Sequence, residues 1–145
     1  MNKLFLTLAL LSTSMLALHA DWTTDYKAAL AQAKTQNKQV LLDFTGSDWC
    51  PNCQLLHEEV FSKQSFRDFA DKNYILVTID FPQEKQLPKN LQEQNEQLRE
   101  KFDADGLFPV LIVVNADGKE LGRQLGYVPS SGPEAVISKL KSFTK

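Results

Sequence analysis

The chain has two cysteines, Cys50 and Cys53, at the point where a hydrophobic run gives way to a helical pattern. The first turn of a helix presents unpaired backbone N–H groups and the positive end of the helix dipole, which favour a thiolate over a thiol. Pro51 suits such a turn, because its missing N–H would have no partner within the helix. A cysteine three residues further along lies on the same helical face, within reach of a disulfide bond. The spacing therefore predicts thiol–disulfide exchange in which Cys50 attacks and Cys53 resolves.

Two other uses of the cysteine pair stay open, and a third is excluded. Cys50, Cys53 and His57 could bind a metal ion if a fourth ligand came from elsewhere in the chain. A purely structural disulfide is the second use, although a bridge that closes so short a loop removes little entropy from the unfolded chain. Covalent haem attachment requires a histidine directly after the second cysteine, where this chain has Gln54.

The N-terminal segment has the pattern of a secretory signal. Lys3 is its only charged residue, an apolar stretch follows at residues 4–11, and Ala20 stands at the expected cleavage site. We therefore expect residues 1–20 to be a cleaved signal peptide and residues 21–145 to form a single domain. An uncleaved membrane anchor is the alternative, although the stretch is short for a full membrane span.

Composition and charge exclude several classes of function. The chain has 16 Lys and Arg against 18 Asp and Glu, and a formal net charge of −2 does not favour binding to nucleic acid. Neither glycine-rich nucleotide loop, G-x-x-x-x-G-K-[ST] or G-x-G-x-x-G, is present, and no cofactor is expected. Export leads to an oxidising compartment, yet Cys50 and Cys53 are the only cysteines, which favours a redox role. Residues 142–145 are not an ER-retention signal, so the expected compartment is the bacterial periplasm.

Hydrophobic periodicity predicts helices and strands in a definite order. Strands are expected where β-branched and other apolar residues cluster, and helices where apolar residues recur every three or four positions. The first two strands enclose the cysteine helix and should be parallel, whereas a hairpin turn makes the last two antiparallel. The predicted elements are a helix at 25–37, a strand at 39–44, a helix at 50–61 that continues or restarts at 65–70, a strand at 74–80, a helical stripe within 81–105, strands at 110–114 and 120–125, and a helix at 134–143.

Several segments resemble the thioredoxin-like family. Residues 43–53, D-F-T-G-S-D-W-C-P-N-C, are similar to the active-site region of exported bacterial members with an F-T-G-S-x-W-C-x-x-C signature. Residues 107–110, L-F-P-V, resemble the family's cis-proline turn, and residues 117–119 and 125–127 resemble its hairpin and the glycine that follows. The resemblance covers residues 22–143. It implies the α/β thioredoxin fold, with a central mixed β-sheet of about four to five strands flanked by helices.

The resemblance also implies roles for individual residues. It makes Cys50 the nucleophile and Cys53 the resolving thiol of a redox-active disulfide. Trp49 corresponds to the rim of the substrate surface, and Pro109 to a cis residue that faces the disulfide. A cis bond would turn the backbone of Phe108 outward, where an extended substrate peptide could pair with it as a strand does. Substrate binding is therefore expected at Trp49, Phe108 and Pro109.

Asp43 corresponds to the acid that lies buried behind the resolving cysteine in thioredoxins. Burial among apolar neighbours raises a carboxyl pKa, which makes Asp43 a candidate catalytic proton acceptor for Cys53. The chain departs from the family pattern here, because one extra residue separates Asp43 from Cys50 and Leu76 replaces the lysine expected near the acid. The alternative for Asp43 is an ordinary strand-end carboxylate exposed at the edge of the sheet.

These features predict an exported thiol–disulfide oxidoreductase that acts on protein disulfides or dithiols, as a reductase or isomerase rather than an oxidase. A periplasmic reductase needs an electron donor, and we expect a membrane-embedded thiol carrier. Two alternatives are a module that delivers copper or zinc with Cys50, Cys53 and His57, and a redox-inert interaction domain. Outside a metal site, His57 is expected to be either a proton shuttle or a surface helix residue. Asp48 is expected to be either a solvated loop carboxylate or a helix cap.

Overall fold

The computed structural model describes residues 21–143, and within them lie four strands, five α-helices and one π-helical turn. The expected signal peptide at 1–20 lies outside the described residues. Within residues 21–143, no helix is both long and apolar enough to cross a bilayer. The elements are α1 (Tyr26–Gln36), β1 (Gln39–Thr45), α2 (Pro51–Leu56), the π-helical turn (His57–Phe61), α3 (Gln64–Asn73), β2 (Tyr74–Asp80), α4 (Lys89–Lys101), β3 (Val110–Val114), β4 (Glu120–Leu125) and α5 (Gly132–Lys141).

The four strands form one mixed sheet in the order β2-β1-β3-β4. β1 and β2 are parallel and β3 and β4 are antiparallel, as the sequence predicts. β3 is also antiparallel to β1. The hairpin between β3 and β4 is closed by Asn115, whose backbone carbonyl accepts the Gly118 N–H at 2.9 Å. Since β1 lies between β2 and β3, its residues from 40 to 45 are all buried.

Alternate residues of the sheet face two separate hydrophobic layers, because successive side chains of a strand point to opposite faces. Leu42 of β1 belongs to one layer, while Leu41 belongs to the other. Asp43 follows Leu41 by two positions, so its side chain is directed toward the second layer, beneath α2. The first layer includes Ala29, Ala33, Leu98 and Phe102, and the second includes Leu56, Val60, Phe66, Val136 and Leu140.

Two helices differ most from the sequence prediction. The cysteine helix is α-helical only as far as Leu56 and then widens into the π-helical turn. In the polar stretch, α4 starts only at Lys89, since Pro82 and Pro88 each disfavour helical geometry in the residue before them. Residues 81–88 therefore form a loop, which lies beside the cysteine motif.

Candidate active site

Cys50 is the N-cap of α2, which confirms the predicted start of the cysteine helix. Its backbone is extended, with φ −94° and ψ 107°, and Pro51 is the first helical residue. The Cys50 Sγ accepts the backbone N–H of Cys53 at 3.3 Å, a contact that stabilises negative charge on the sulfur once the pair is reduced. The backbone N–H of Cys50 donates to the Gly46 carbonyl at 2.9 Å and fixes the turn between β1 and α2.

Cys50 and Cys53 are joined in a disulfide, with their Cα atoms 5.3 Å apart. Each cysteine is only 5% exposed. A bridge with a sequence separation of three residues constrains the unfolded chain little. Reduction therefore leaves the two hydrophobic layers as the main source of stability.

The three residues expected to bind substrate lie in or next to an aromatic cluster. The Phe108–Pro109 peptide bond is cis, and the Pro109 carbonyl accepts the Gly126 N–H at 2.8 Å. The Trp49 and Phe108 rings pack with centroids 5.9 Å apart, and Phe81 stacks on Phe108 at 5.4 Å. Trp49 also donates its indole N–H to the Phe81 carbonyl at 2.8 Å. The structure thus brings Trp49 and Phe108 together, with the 81–88 loop as their support.

Asp48 holds the 81–88 loop in place, a role that the sequence did not indicate. Its carboxylate accepts the backbone N–H groups of Gln83 and Glu84 at 2.9 Å each and that of Lys85 at 3.2 Å. These donors, Gln83 first, lower the pKa of Asp48 below its ordinary value. Asp48 is thus not the cap of α2, which is Cys50, and its carboxylate binds the 81–88 loop as well as facing solvent.

Asp43 lies in the central strand, and its side chain lines a cavity of about 430 Å³ together with Cys53. The residue is 7% exposed, and its Oδ1 has no hydrogen-bond partner in the described part of the chain. Burial first, and the nearby Asp80 carboxylate second, raise the pKa of Asp43 to about 7. The alternative of an exposed carboxylate at the sheet edge is therefore wrong, since β1 is flanked on both sides.

Asp80 is a further residue of this cavity that the sequence analysis missed. Its carboxylate accepts the backbone N–H of Ser47 at 2.9 Å and the Ser47 hydroxyl at 2.6 Å, and Lys85 Nζ lies 3.2 Å away. The position of Asp80 at the end of a predicted strand could have indicated this role, because Asp80 ends β2 directly opposite Thr45 at the end of β1. Parallel strands place their last residues side by side at the carboxyl end of the sheet, where binding sites are commonly found.

His57 begins the π-helical turn and lines the same cavity as Cys53. Its side chain is exposed, and its ring packs edge-on against Phe61 at 6.1 Å. Within residues 21–143, no group of three or more histidine, cysteine or acidic side chains is arranged to hold a metal ion. The geometry therefore gives the metal-binding use of Cys50, Cys53 and His57 no support.

Comparison with known families identifies this arrangement. A family model described as a thioredoxin-like domain matches residues 26–141. The chain belongs to the thioredoxin-like family. The matched region contains all four strands, the cysteine pair and the cis-proline turn, and the family resemblance inferred from the sequence is confirmed.

The names of two relatives of this thioredoxin-like chain describe disulfide chemistry. The chain is 35% identical over 129 residues to the disulfide bond reductase DsbH of Chlamydia pneumoniae, with 89% of this chain and 75% of that protein covered. It is 28% identical over 118 residues to the thiol:disulfide interchange protein DsbD of Campylobacter jejuni strain RM1221. That alignment covers 81% of this chain but only 19% of DsbD, so the similarity concerns a small part of the longer protein.

A solved structure described as a DsbH oxidoreductase is similar to this thioredoxin-like chain over nearly its whole length. The TM-score is 0.79 at 32% sequence identity, and the match covers 98% of this chain and 92% of the other. The predicted thioredoxin fold is confirmed. Together with the Cys50–Cys53 disulfide at the start of α2, these findings make the protein a thiol–disulfide oxidoreductase, as predicted.

Proposed function

We propose that this protein is an exported disulfide reductase that transfers electrons from Cys50 and Cys53 to disulfides of protein substrates. The observation that carries the proposal is the cysteine pair itself, in which Cys50 caps α2, accepts the Cys53 N–H and closes a small disulfide ring. The name of the Chlamydia pneumoniae relative, disulfide bond reductase, supports this direction of transfer. Isomerisation uses the same first step and is the closest alternative.

In the first step, the Cys50 thiolate attacks one sulfur of the substrate disulfide. A bond forms between Cys50 Sγ and that sulfur, the substrate S–S bond breaks, and the other substrate sulfur leaves as a thiolate that takes a proton from solvent. The backbone N–H of Cys53 and the unpaired N–H groups of the first turn favour the ionised form of Cys50.

In the second step, the Cys53 thiol loses its proton and its sulfur attacks Cys50 Sγ. The mixed disulfide breaks, the reduced substrate leaves as a thiolate, and the Cys50–Cys53 bond closes, so two electrons pass to the substrate. Asp43 accepts the proton in this proposal, because it shares the cavity with Cys53 and its Oδ1 has no hydrogen-bond partner among the described residues. A pKa raised to about 7 lets Asp43 take and release a proton near neutral pH.

Substrate binding is proposed at the aromatic cluster and the cis-proline turn. An extended peptide would pair with the backbone beside Phe108 and Pro109 in strand-like fashion. Its apolar side chains would cover Trp49 and Leu107, which are 39% and 64% exposed. Backbone pairing gives little sequence preference, so this surface suits a range of unfolded or loosely folded substrates.

Location and electron supply complete the proposal. Residues 1–20 would direct the chain to the periplasm and then be removed, in line with their apolar stretch. Each turnover leaves Cys50 and Cys53 oxidised, so continued reduction in an oxidising compartment requires a donor. A membrane-embedded thiol carrier is the proposed donor, because it can bring electrons from the reducing side of the membrane.

Insulin reduction by dithiothreitol tests the exchange reaction. The wild-type protein should accelerate precipitation of the free insulin B chain, whereas Cys50→Ser should give the uncatalysed rate. Mixed with insulin in the absence of dithiothreitol, reduced Cys53→Ser should accumulate a mixed disulfide between Cys50 and insulin, visible by mass spectrometry. Equal rates with and without wild-type protein would contradict the proposal, and stoichiometric copper or zinc in protein purified under reducing conditions would favour the metal-delivery alternative.

The direction of transfer is tested by equilibrium with glutathione. Members of this fold range from about −270 mV for reducing proteins to about −120 mV for strong oxidants. We expect the Cys50–Cys53 couple to lie toward the reducing end of this range. A potential at the oxidising end would overturn the reductase assignment and leave the exchange chemistry intact.

A further inference from the structure

A second carboxylate, that of Asp80, shares the cavity behind the cysteines with Asp43. β3 packs against the other side of β1 and places an uncharged residue, Leu111, opposite Asp43. The titratable and charged groups around the cavity therefore come from the remaining elements. They are Asp43 from β1, Cys53 from α2, His57 from the π-helical turn, Asp80 from the end of β2 and Lys85 from the 81–88 loop.

The Asp80 carboxylate is fixed at the cavity wall. Ser47 donates its backbone N–H to one oxygen at 2.9 Å and its hydroxyl to the other at 2.6 Å. The Asp80 side chain is only 10% exposed, so little solvent screens its charge from the interior. Asp43 and Asp80 line the same cavity, so the charge of Asp80 faces Asp43 and, after burial, contributes to the raised pKa of Asp43.

Lys85 is the cation that faces Asp80, and its position is set by Asp48. The Lys85 Nζ lies 3.2 Å from Asp80 Oδ2, while the Lys85 backbone N–H donates to Asp48 at 3.2 Å. The Lys85 side chain is 55% exposed, whereas that of Asp80 is 10% exposed. Water therefore screens the positive charge of Lys85 more strongly than the negative charge of Asp80. Lys85 therefore offsets only part of the effect of Asp80.

We propose that Asp80 and Lys85 are positioning residues that act in opposite senses on proton transfer from Cys53 to Asp43. Asp80 is a fixed like charge that favours a proton on Asp43, and Lys85 weakens that effect by pairing with Asp80. Both residues act through Asp43, and neither forms a covalent bond with a cysteine sulfur. The inference rests on the role of Asp43 in the proposed function.

Ellman's reagent separates the attack by Cys53 on the mixed disulfide from the earlier attack by Cys50. The reduced protein first attacks the reagent through Cys50, which releases one nitrothiobenzoate and forms a mixed disulfide with the other. Cys53 then attacks Cys50 Sγ, the second nitrothiobenzoate leaves as a thiolate, and the Cys53 proton passes to Asp43. The pH midpoint of the second release therefore reports Asp43, and the first release provides an internal reference.

Variants of the two residues should move this midpoint in opposite directions. Asp80→Asn removes the like charge and should lower the midpoint by about half to one pH unit, while the new amide oxygen can still accept from Ser47. Lys85→Gln should raise the midpoint by a smaller amount, and Lys85→Arg should restore it. Lys89→Gln is the matched control, because it breaks an exposed ion pair on α4 and Lys89 does not line the cavity.

The outcomes distinguish failure of this inference from failure of the proposed function. If Asp43→Asn does not slow the second release, the proposed role of Asp43 fails, and the inference fails with it. If that variant slows the release but Asp80→Asn leaves the midpoint unchanged, or shifts it in the same direction as Lys85→Gln, only the inference is overturned. If His57→Gln abolishes the pH dependence of the second release, that dependence does not report Asp43, and the inference is also overturned. Urea unfolding of each variant checks the fold, and the Lys85 variants still test the inference if Asp80→Asn fails to fold.

Discussion

The indole ring of Trp49 lies directly against Gly46, in the space that a side chain at position 46 would occupy. A Cβ atom on Gly46 would overlap the ring, which is held in place by the bond from its N–H to the Phe81 carbonyl. The same ring packs on Phe108, next to the cis-proline turn. Because glycine has no side chain, the Trp49 ring can lie against position 46 at the rim of the proposed substrate surface.

Gly46→Ala should displace the Trp49 ring and destabilise the protein by about 1 to 3 kcal/mol, the usual effect of overpacking. Insulin reduction should fall several-fold, because the ring no longer supports Phe108. Tryptophan fluorescence in a Trp22→Phe background reports the displacement directly. Gly122→Ala is the matched control, since Gly122 lies equally close to Phe143 and away from the cysteines. A loss of activity as large in the control would contradict the assignment of Trp49 to the substrate surface.

Asp43 should make stability depend on pH in a direction unusual for a carboxylate. Folding raises its pKa from 3.8 to about 7, so ionisation favours the unfolded state. The stability that Asp43 contributes is fully present below pH 3.8 and is lost as the pH rises toward about 7. We therefore expect Asp43→Asn to gain stability relative to wild type across this range, by up to about 4 kcal/mol.

Urea unfolding of the oxidised protein at several pH values measures this difference. The amide that replaces the carboxyl group at position 43 is itself buried, so the absolute stability of the variant at one pH is not informative, and the change with pH is the quantity of interest. Asp25→Asn is a suitable control, because Asp25 accepts the Ala28 N–H at the exposed start of α1. A stability difference between Asp43→Asn and wild type that stays constant from acid to neutral pH would contradict the burial of an ionisable Asp43.

The parts of the site that depend on local chemistry could be predicted from the sequence. Cys50 and Cys53 were placed at a helix start by their spacing and by Pro51, and the strands by their apolar runs. Burial of Asp43 was expected from its apolar neighbours, since a central strand has both faces covered. These features need only a few adjacent residues to specify them.

The cavity itself could not be predicted in this way, because its residues come from separate segments. Ser47 and Asp80 meet across 33 positions of the chain, and Asp48 meets Gln83 across 35. Both contacts depend on the parallel register of β1 and β2, which pairs Thr45 with Asp80. Both local interpretations of Asp48 therefore missed its three donors from the 81–88 loop.

Replacing Asp48 should release the 81–88 loop. Asp48→Ala removes the acceptor of the backbone N–H groups of Gln83, Glu84 and Lys85. Hydrogen exchange should show loss of protection at these three amides, with α1 and β1 unaffected. Because the pKa of Asp48 is lowered, the wild-type loop should keep its protection until the pH falls below the ordinary carboxyl range. Retained protection in the variant would show that Phe81 and Trp49 suffice to hold the loop.

Glu59 links the π-helical turn to the chain that follows β4. The Tyr127 hydroxyl donates to Glu59 Oε2 at 2.5 Å, and the Ser130 N–H donates to the same oxygen at 2.8 Å. The Tyr127 bond is the first cause of the lowered pKa of Glu59. The ionised carboxylate thus stabilises the fold at neutral pH, and this contribution is lost as the pH falls through the folded-state pKa of Glu59.

Tyr127→Phe should therefore lower the urea midpoint at neutral pH, with the buried ring still packed against the second layer. The difference from wild type should shrink in acid, because a protonated Glu59 no longer accepts a charge-assisted hydrogen bond from the hydroxyl. Tyr26→Phe is the control, since the Tyr26 hydroxyl contacts the exposed Lys101 Nζ at 3.5 Å and should matter little at either pH. A Tyr127→Phe loss that is equal at neutral and acid pH would mean that the hydroxyl contributes through packing and that the Glu59 carboxylate does not anchor the π-helical turn.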